Sequence, residues 1–199
     1  MTSGESAAAR RPLRDRLLDA AAVAISEVGV DKLSLRAIAR REGVSHQTPG
    51  HFFKNKTGVL TALSARVVQQ LGDEMRQVRS DATERGAQGK EIVIEIGVCY
   101  IRFAISHASL FRLAGNPDLL DHNAPELRRA LDETWAVLTQ AVCNAQEQGW
   151  RRDQPSEVVA MMCWSIVHGI ASIHNSRLHP AGLHSQDTID IMRAVSALL

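Results

Sequence analysis

From Pro12 to Val28 the apolar residues Leu13, Leu17, Leu18, Ala21, Val23, Ala24, Ile25 and Val28 recur at helical spacing, which predicts a first helix with Pro12 in its opening turn and Gly29 at its C-cap. Ser34 stands as an N-cap before Ala37, Ile38 and Ala39, and Gly43 stops that pattern, so the second helix is short. Ser45 opens a third segment, and a longer helix follows from about Thr57 to Val78. After the polar stretch SDATERGAQG the helical pattern resumes at 90–107, in LFRLAG, at 125–149, and from Pro155 to about Ser176; QDTIDIMRAVSALL closes the chain as an amphipathic helix. EIVIEIG alternates as a strand does, but its length and surroundings favour helix, and the whole reads as an all-α fold.

Two short helices joined by a tight turn at Gly43 and preceded by a longer one match a helix-turn-helix, whose third helix is offered to a DNA major groove. The turn of an ordinary helical bundle has the same spacing. Charge leans the same way only slightly: residues 1–60 hold ten Lys/Arg against six Asp/Glu, an excess of four, and the remainder carries three more acids than bases.

Composition narrows the class further. Of 199 residues 45% are apolar, 23% charged and only 4% aromatic, a balance that suits helices. Cys99, Cys143 and Cys163 have no CxxC spacing and sit in apolar segments, as small core residues in a reducing cytoplasm do. Asp15 and Asp19 interrupt the stretch behind Arg10-Arg11, so no export signal is read. The longest apolar run, 158–173, is short for a membrane span and contains His168, which favours a helix buried in protein and a cytoplasmic protein without membrane contact. There is no G-x-S-x-G elbow, phosphate-cradling glycine loop or HExxH, so an enzyme is not expected. His174, His179 and His184 recur every five residues, a step that does not stack on one helical face, and read as polar loop histidines rather than metal ligands.

Residues 17–63, LLDAAAVAISEVGVDKLSLRAIARREGVSHQTPGHFFKNKTGVLTAL, closely resemble the DNA-binding domain of TetR-family transcriptional regulators, through the Ala-rich first helix, Ile38-Ala39, Gly43-Val44-Ser45, Phe53 and Lys56. HASLFRLA at 107–114 and WSIVHG at 164–169 resemble the ligand-binding domain of a subgroup with a Trp-x-x-x-His-Gly signature. The resemblance implies a homodimeric, all-helical repressor or activator, read first as a repressor that binds a palindromic operator in double-stranded DNA and is released by a small-molecule effector, with no cofactor and no metal. It implies a disordered basic arm at 1–11, a DNA-binding domain at 12–60 and an effector-binding and dimerisation domain at 61–199. Matching positions put Ser34 and Arg36 near phosphate, and His46, Gln47 and Thr48 in the exposed first turn of the recognition helix beside Ser45 and Gly50. Gln47 can pair with adenine, and His51 and Lys56 fall within reach of phosphate.

Pro49-Gly50 departs from helical chemistry. With Ser45 as N-cap, Pro49 is the fourth helical residue; with Thr48 as cap it takes the first position, which prolines prefer. Gly50 replaces the tyrosine usual in the family, and Phe52 replaces its common histidine. An alternative reading follows: a helical small-molecule-binding protein of the same fold with weakened or lost operator binding.

On the helix before Ser176, Ser165, Gly169, Ser172 and Ser176 form a strip of small side chains that lets another helix approach closely. With Ile191, Met192, Val195 and Leu198 it makes a candidate dimer surface, intramolecular packing being the other use of such a strip. The adjoining strip carries Met161, Trp164 and His168, which with Tyr100, Phe103, His107, Phe111 and Trp135 suit a pocket for a small hydrophobic or aromatic effector, or else a plain core.

Overall fold

The computed structural model describes residues 11–176, 187–191 and 193. Every element of regular structure among them is helical. In chain order these are α1 (Leu13–Val28), α2 (Leu35–Glu42), α3 (Thr48–Phe53), α4 (Lys56–Glu84), α5 (Lys90–Ser106), α6 (Ala108–Ala114), a 3-10 turn at Pro117–Leu119, α7 (Pro125–Glu147) and α8 (Ser156–Asn175). Residues 187–191 are helical as well. EIVIEIG lies inside α5, where it forms part of one face buried through Val93, Ile96 and Tyr100. α4 runs further than its pattern predicts, through Glu84, because the polar stretch after Val78 contains good helix formers and ends only at Gly86, whose φ is 85°.

The chain divides into two compact units, Met1–Val67 with Ser109–Arg129 and Val68–Ala108 with Ala130–Leu199. In the first, α1 packs on α2 and α3, and α2 on α3. Leu17, Leu18, Ile25, Leu33, Ile38, Phe53, Val59, Leu60 and Leu63 are buried there, each large side chain contributing about 1.5–3 kcal/mol by leaving water. Ala21 and Ala39, also buried, add less apolar area but let the helices approach closely. The segment after α6 is fastened to this unit by Asp121 N, which donates to Thr61 Oγ1 at 2.9 Å, and by the Arg14–Glu126 pair at 2.6 Å.

In the second unit α5 packs along α8. Gly72 permits the crossing of α4 and α7: a β-carbon there would stand 2.6 Å from Thr134 Oγ1, and that hydroxyl donates to Val68 O at 3.0 Å. Cys99 is buried, Cys143 and Cys163 are half-buried, and all three are free thiols. Burial pushes the Cys99 thiol up to about 11, with Glu74 adding to the shift.

The expectation that the 158–173 helix is buried needs correction. Val159, Ala160, Val167 and Ala171 are its buried residues, whereas Val158, Met161, Trp164 and Ile173 are exposed in the single chain. By length and mean hydropathy, 1.4, α8 is also sufficient to cross a membrane. Its polar attachments to α5, described below, are those of a helix packed on protein.

Candidate functional site

Local chemistry sets the frame of the first unit. Ser34, extended at φ −139°, accepts a hydrogen bond from Ala37 N at 3.2 Å and caps α2. Gly43 ends α2 in the left-handed region at φ 70°, and Val44 N closes the turn onto Ala39 O at 3.0 Å.

Neither expected cap opens α3. Gln47 holds that position in helical conformation without a side-chain cap, and α3 begins at Thr48. His46 and Gln47 are therefore exposed residues of the preceding turn, closed by Thr48 N on Ser45 O at 2.9 Å, rather than helical ones. Thr48 is half-buried. Pro49 lies in the first turn, where its missing N–H leaves no hydrogen bond unmade. It is also buried, four residues before buried Phe53, so the two anchor one face of α3 to the core. The proline that looks like a helix breaker is an anchor, and only its partner in the core reveals that.

Gly50 is half-buried, and a β-carbon on it would meet no atom within 4 Å. His51 and Phe52 are exposed. Past Phe53 the chain turns through Lys54 at φ 63°, ψ −57°, with Asn55 N donating to Phe53 O at 2.7 Å. This is a γ-turn, strained for any residue but glycine. Asn55 Oδ1 then accepts from Gly58 N at 2.9 Å and caps α4. Gly58 is obligatory, since a β-carbon there would overlap the carbonyl of Phe53. Sequence reasoning passed over Asn55 and Gly58, although an asparagine three residues before the bonded amide is a legible cap signal.

Ion pairing sorts the cations. Arg11 and Arg66 both pair with Asp19, Arg16 with Glu42 at 2.5 Å, Arg41 with Glu27 and Arg14 with Glu126. Arg14 also lies 5.5 Å from the centre of the Phe53 ring. Lys56 Nζ donates to Asp31 O at 3.0 Å, so its ammonium is held by the loop before α2. Arg36, Arg40, Lys54, His46 and His51 are exposed and make no ion pair among the described residues.

In the second unit Tyr100 Oη and His168 Nδ1 share a hydrogen bond at 2.8 Å, and the Trp164 ring stacks on His168 at 4.8 Å. Burial raises the Tyr100 pKa above the usual phenol range and lowers that of His168, so both are neutral near pH 7. Phe103 and His107 stack at 4.4 Å, His107 Nδ1 bonding Phe103 O at 3.1 Å, and Asn175 Nδ2 donates to Ala104 O at 3.0 Å. The structure thus joins Tyr100, Trp164 and His168, and separately Phe103 and His107. Trp135 is half-buried on α7, Phe111 belongs to the first unit, and Met161 is 50% exposed. An open groove of about 400 Å³ is lined by Arg85, Gly86, Ala87, Glu91, Ile94 and Glu95, none of them an expected effector residue.

The small-residue strip stands open in the single chain. Ser165 and Ser176 are exposed, Gly169 and Ser172 half-buried, and a β-carbon on Gly169 would meet nothing. Met161 shares this face, four residues before Ser165. Ile191 is 41% exposed; Met192, Val195 and Leu198 lie outside the described residues. So do His179 and His184, while His174 Nδ1 and Thr188 Oγ1 bond at 2.9 Å.

Comparison with known proteins extends this picture. Residues 17–63 match the model of bacterial regulatory proteins of the tetR family, and residues 93–195 match that of the tetracyclin repressor-like C-terminal domain. The HTH-type transcriptional regulator BetI of Yersinia pestis is 36% identical over 64 residues, 32% of each chain, so the match spans about a third of that relative's length. A protein of unknown function from Rhodococcus sp. RHA1 has the same fold, with a TM-score of 0.80 at 24% identity over 95% of this chain and 94% of that one. The regulator FadR of Bacillus subtilis, solved in complex with stearoyl-CoA, aligns with a TM-score of 0.69 at 18% identity over 92% and 96%.

Proposed function

This chain belongs to the tetR family of bacterial regulatory proteins, and on that footing we propose that it is a homodimeric repressor that binds a palindromic operator and is released by a small hydrophobic or aromatic effector. The observation that carries the reading is the construction of α3 and the turn before it: Pro49 and Phe53 hold one face of α3 in the core while His51, with His46 and Gln47 of the preceding turn, stands exposed. Arg36, Arg40 and Lys54 supply phosphate-seeking charge in the same unit. Residues 12–60 are assigned to DNA binding and 61–199 to effector binding and dimerisation, with the exception of Ser109–Arg129, which belongs to the first unit. The exposed face of α8, with Ser165, Gly169, Met161 and Ile173, is where a second copy packs, since small and apolar side chains left in water favour a close helix pair. The cluster of Tyr100 with Trp164 and His168, the latter two from the Trp-x-x-x-His-Gly stretch, orients the effector; the FadR complex with stearoyl-CoA supports a ligand with an apolar chain on this fold.

Selection of bound duplexes from a random pool at near-physiological salt, then anisotropy titration of the enriched duplex, tests the reading. A palindrome whose affinity falls steeply with salt supports it. Failure to enrich any sequence with folding intact favours instead a ligand-binding protein that no longer reads an operator.

A further inference from the structure

A single exposed apolar side chain is ordinary on a protein surface. The position of Phe52 is not ordinary. Phe52 is 45% exposed at the flank of the face that Pro49 and Phe53 fix in the core, and its ring stands at 45° to that of Phe53 with a centroid distance of 6.1 Å. Helical spacing puts it four residues after Thr48 and so on the same side, with exposed His51 preceding it and exposed Lys54 two residues on. Beside the exposed Lys54 ammonium an anionic partner is the natural occupant, yet a phenyl ring donates no hydrogen bond to phosphate. What it offers within a major groove is apolar contact, and the apolar group a base edge presents there is the thymine C5-methyl.

We propose that Phe52 is a specificity-determining residue that packs against the C5-methyl of a thymine in each operator half-site. The proposal rests on the operator-binding reading above. It predicts that the reading element combines polar readout from Gln47 and His51 with one apolar contact, so the preferred half-site contains a thymine that no hydrogen bond explains.

The test is a uracil scan of the enriched operator, each thymine replaced in turn by deoxyuridine, which removes only the methyl group. For the unaltered protein one symmetric pair of positions should weaken binding by about fourfold per half-site, the factor that burying one methylene-sized group is worth. Phe52→Ala should bind more weakly overall and lose sensitivity to uracil at that pair alone. Phe52→His should lose the same sensitivity while binding more salt-dependently, since imidazole can reach phosphate. Circular dichroism melts confirm that each variant is folded, as an exposed position allows. A palindrome enriched but a flat uracil scan, or equal sensitivity in Phe52→Ala, overturns the proposal and leaves the regulator reading intact. If Phe52→Ala alters self-association while the scan stays flat, Phe52 belongs to a contact between copies and the proposal falls. No enriched sequence at all defeats both.

Discussion

The Arg14 guanidinium lies 5.5 Å from the centre of the Phe53 ring and pairs with Glu126 at 2.6 Å, so α1 holds the buried end of α3 and the start of α7 with one side chain. Both partners of the ion pair are well exposed, which limits its worth, and the contact over the ring is the more durable part. Arg14→Met should cost about 1 kcal/mol in urea unfolding and weaken operator binding beyond the loss of one charge. Unchanged affinity at low and high salt would show that Arg14 does not position α3.

Gly50 occupies a helical site at which a β-carbon meets open space. Gly50→Ala should stabilise the protein by about 0.5–1 kcal/mol. Gly50→Tyr should tighten operator binding at matched salt, because its β-carbon meets open space and its phenol adds a hydroxyl for phosphate; equal or weaker affinity counts against that.

Lys54 at φ 63° separates backbone strain from charge. Lys54→Gly should raise stability by about 1 kcal/mol through relief of the γ-turn. The same variant should lower the slope of log affinity against log salt by about one. A lowered melting temperature would mean that the side chain, and not the turn, matters to folding.

Gly72 and Thr134 form a matched pair. Gly72→Ala should destabilise by about 1–3 kcal/mol through overpacking. Combining it with Thr134→Ala should recover part of that loss, seen as a coupling energy in a double-mutant cycle. Additive effects would show that the helices have room to separate.

His168 makes stability depend on pH. Burial lowers its pKa in the folded state below the ordinary value of 6.5, so the unfolded chain takes up a proton first as pH falls. Its contribution is fully present above pH 6.5 and is lost as pH drops below that value. His168→Gln should flatten the melting temperature profile between pH 7.5 and 5.5 relative to the parent. Tyr100→Phe, which removes the hydrogen bond to His168, should cost about 1 kcal/mol.

What could be read from the chain was what neighbours in sequence decide. The Ser34 cap and the Gly43 stop rest on interactions within four or five residues, and both stand in the structure as read. The family followed from the same stretch, because a helix-turn-helix is compact in sequence.

Tertiary structure decided which faces are covered. Pro49 turns inward and Phe52 outward on a six-residue helix, and no local rule separates them; the difference is the core of α1 and α2 against which α3 lies. The γ-turn at Lys54 depends on Gly58 letting the Phe53 carbonyl approach. The segment 109–129 joins the N-terminal unit through contacts with Thr61 and Arg14, partners 60 and 112 residues away in sequence. On α8, hydrophobicity all round suggested burial, whereas only the face against α5 is buried in the single chain. Burial is a property of long-range contact, so a pattern shows that a face seeks cover without showing what covers it.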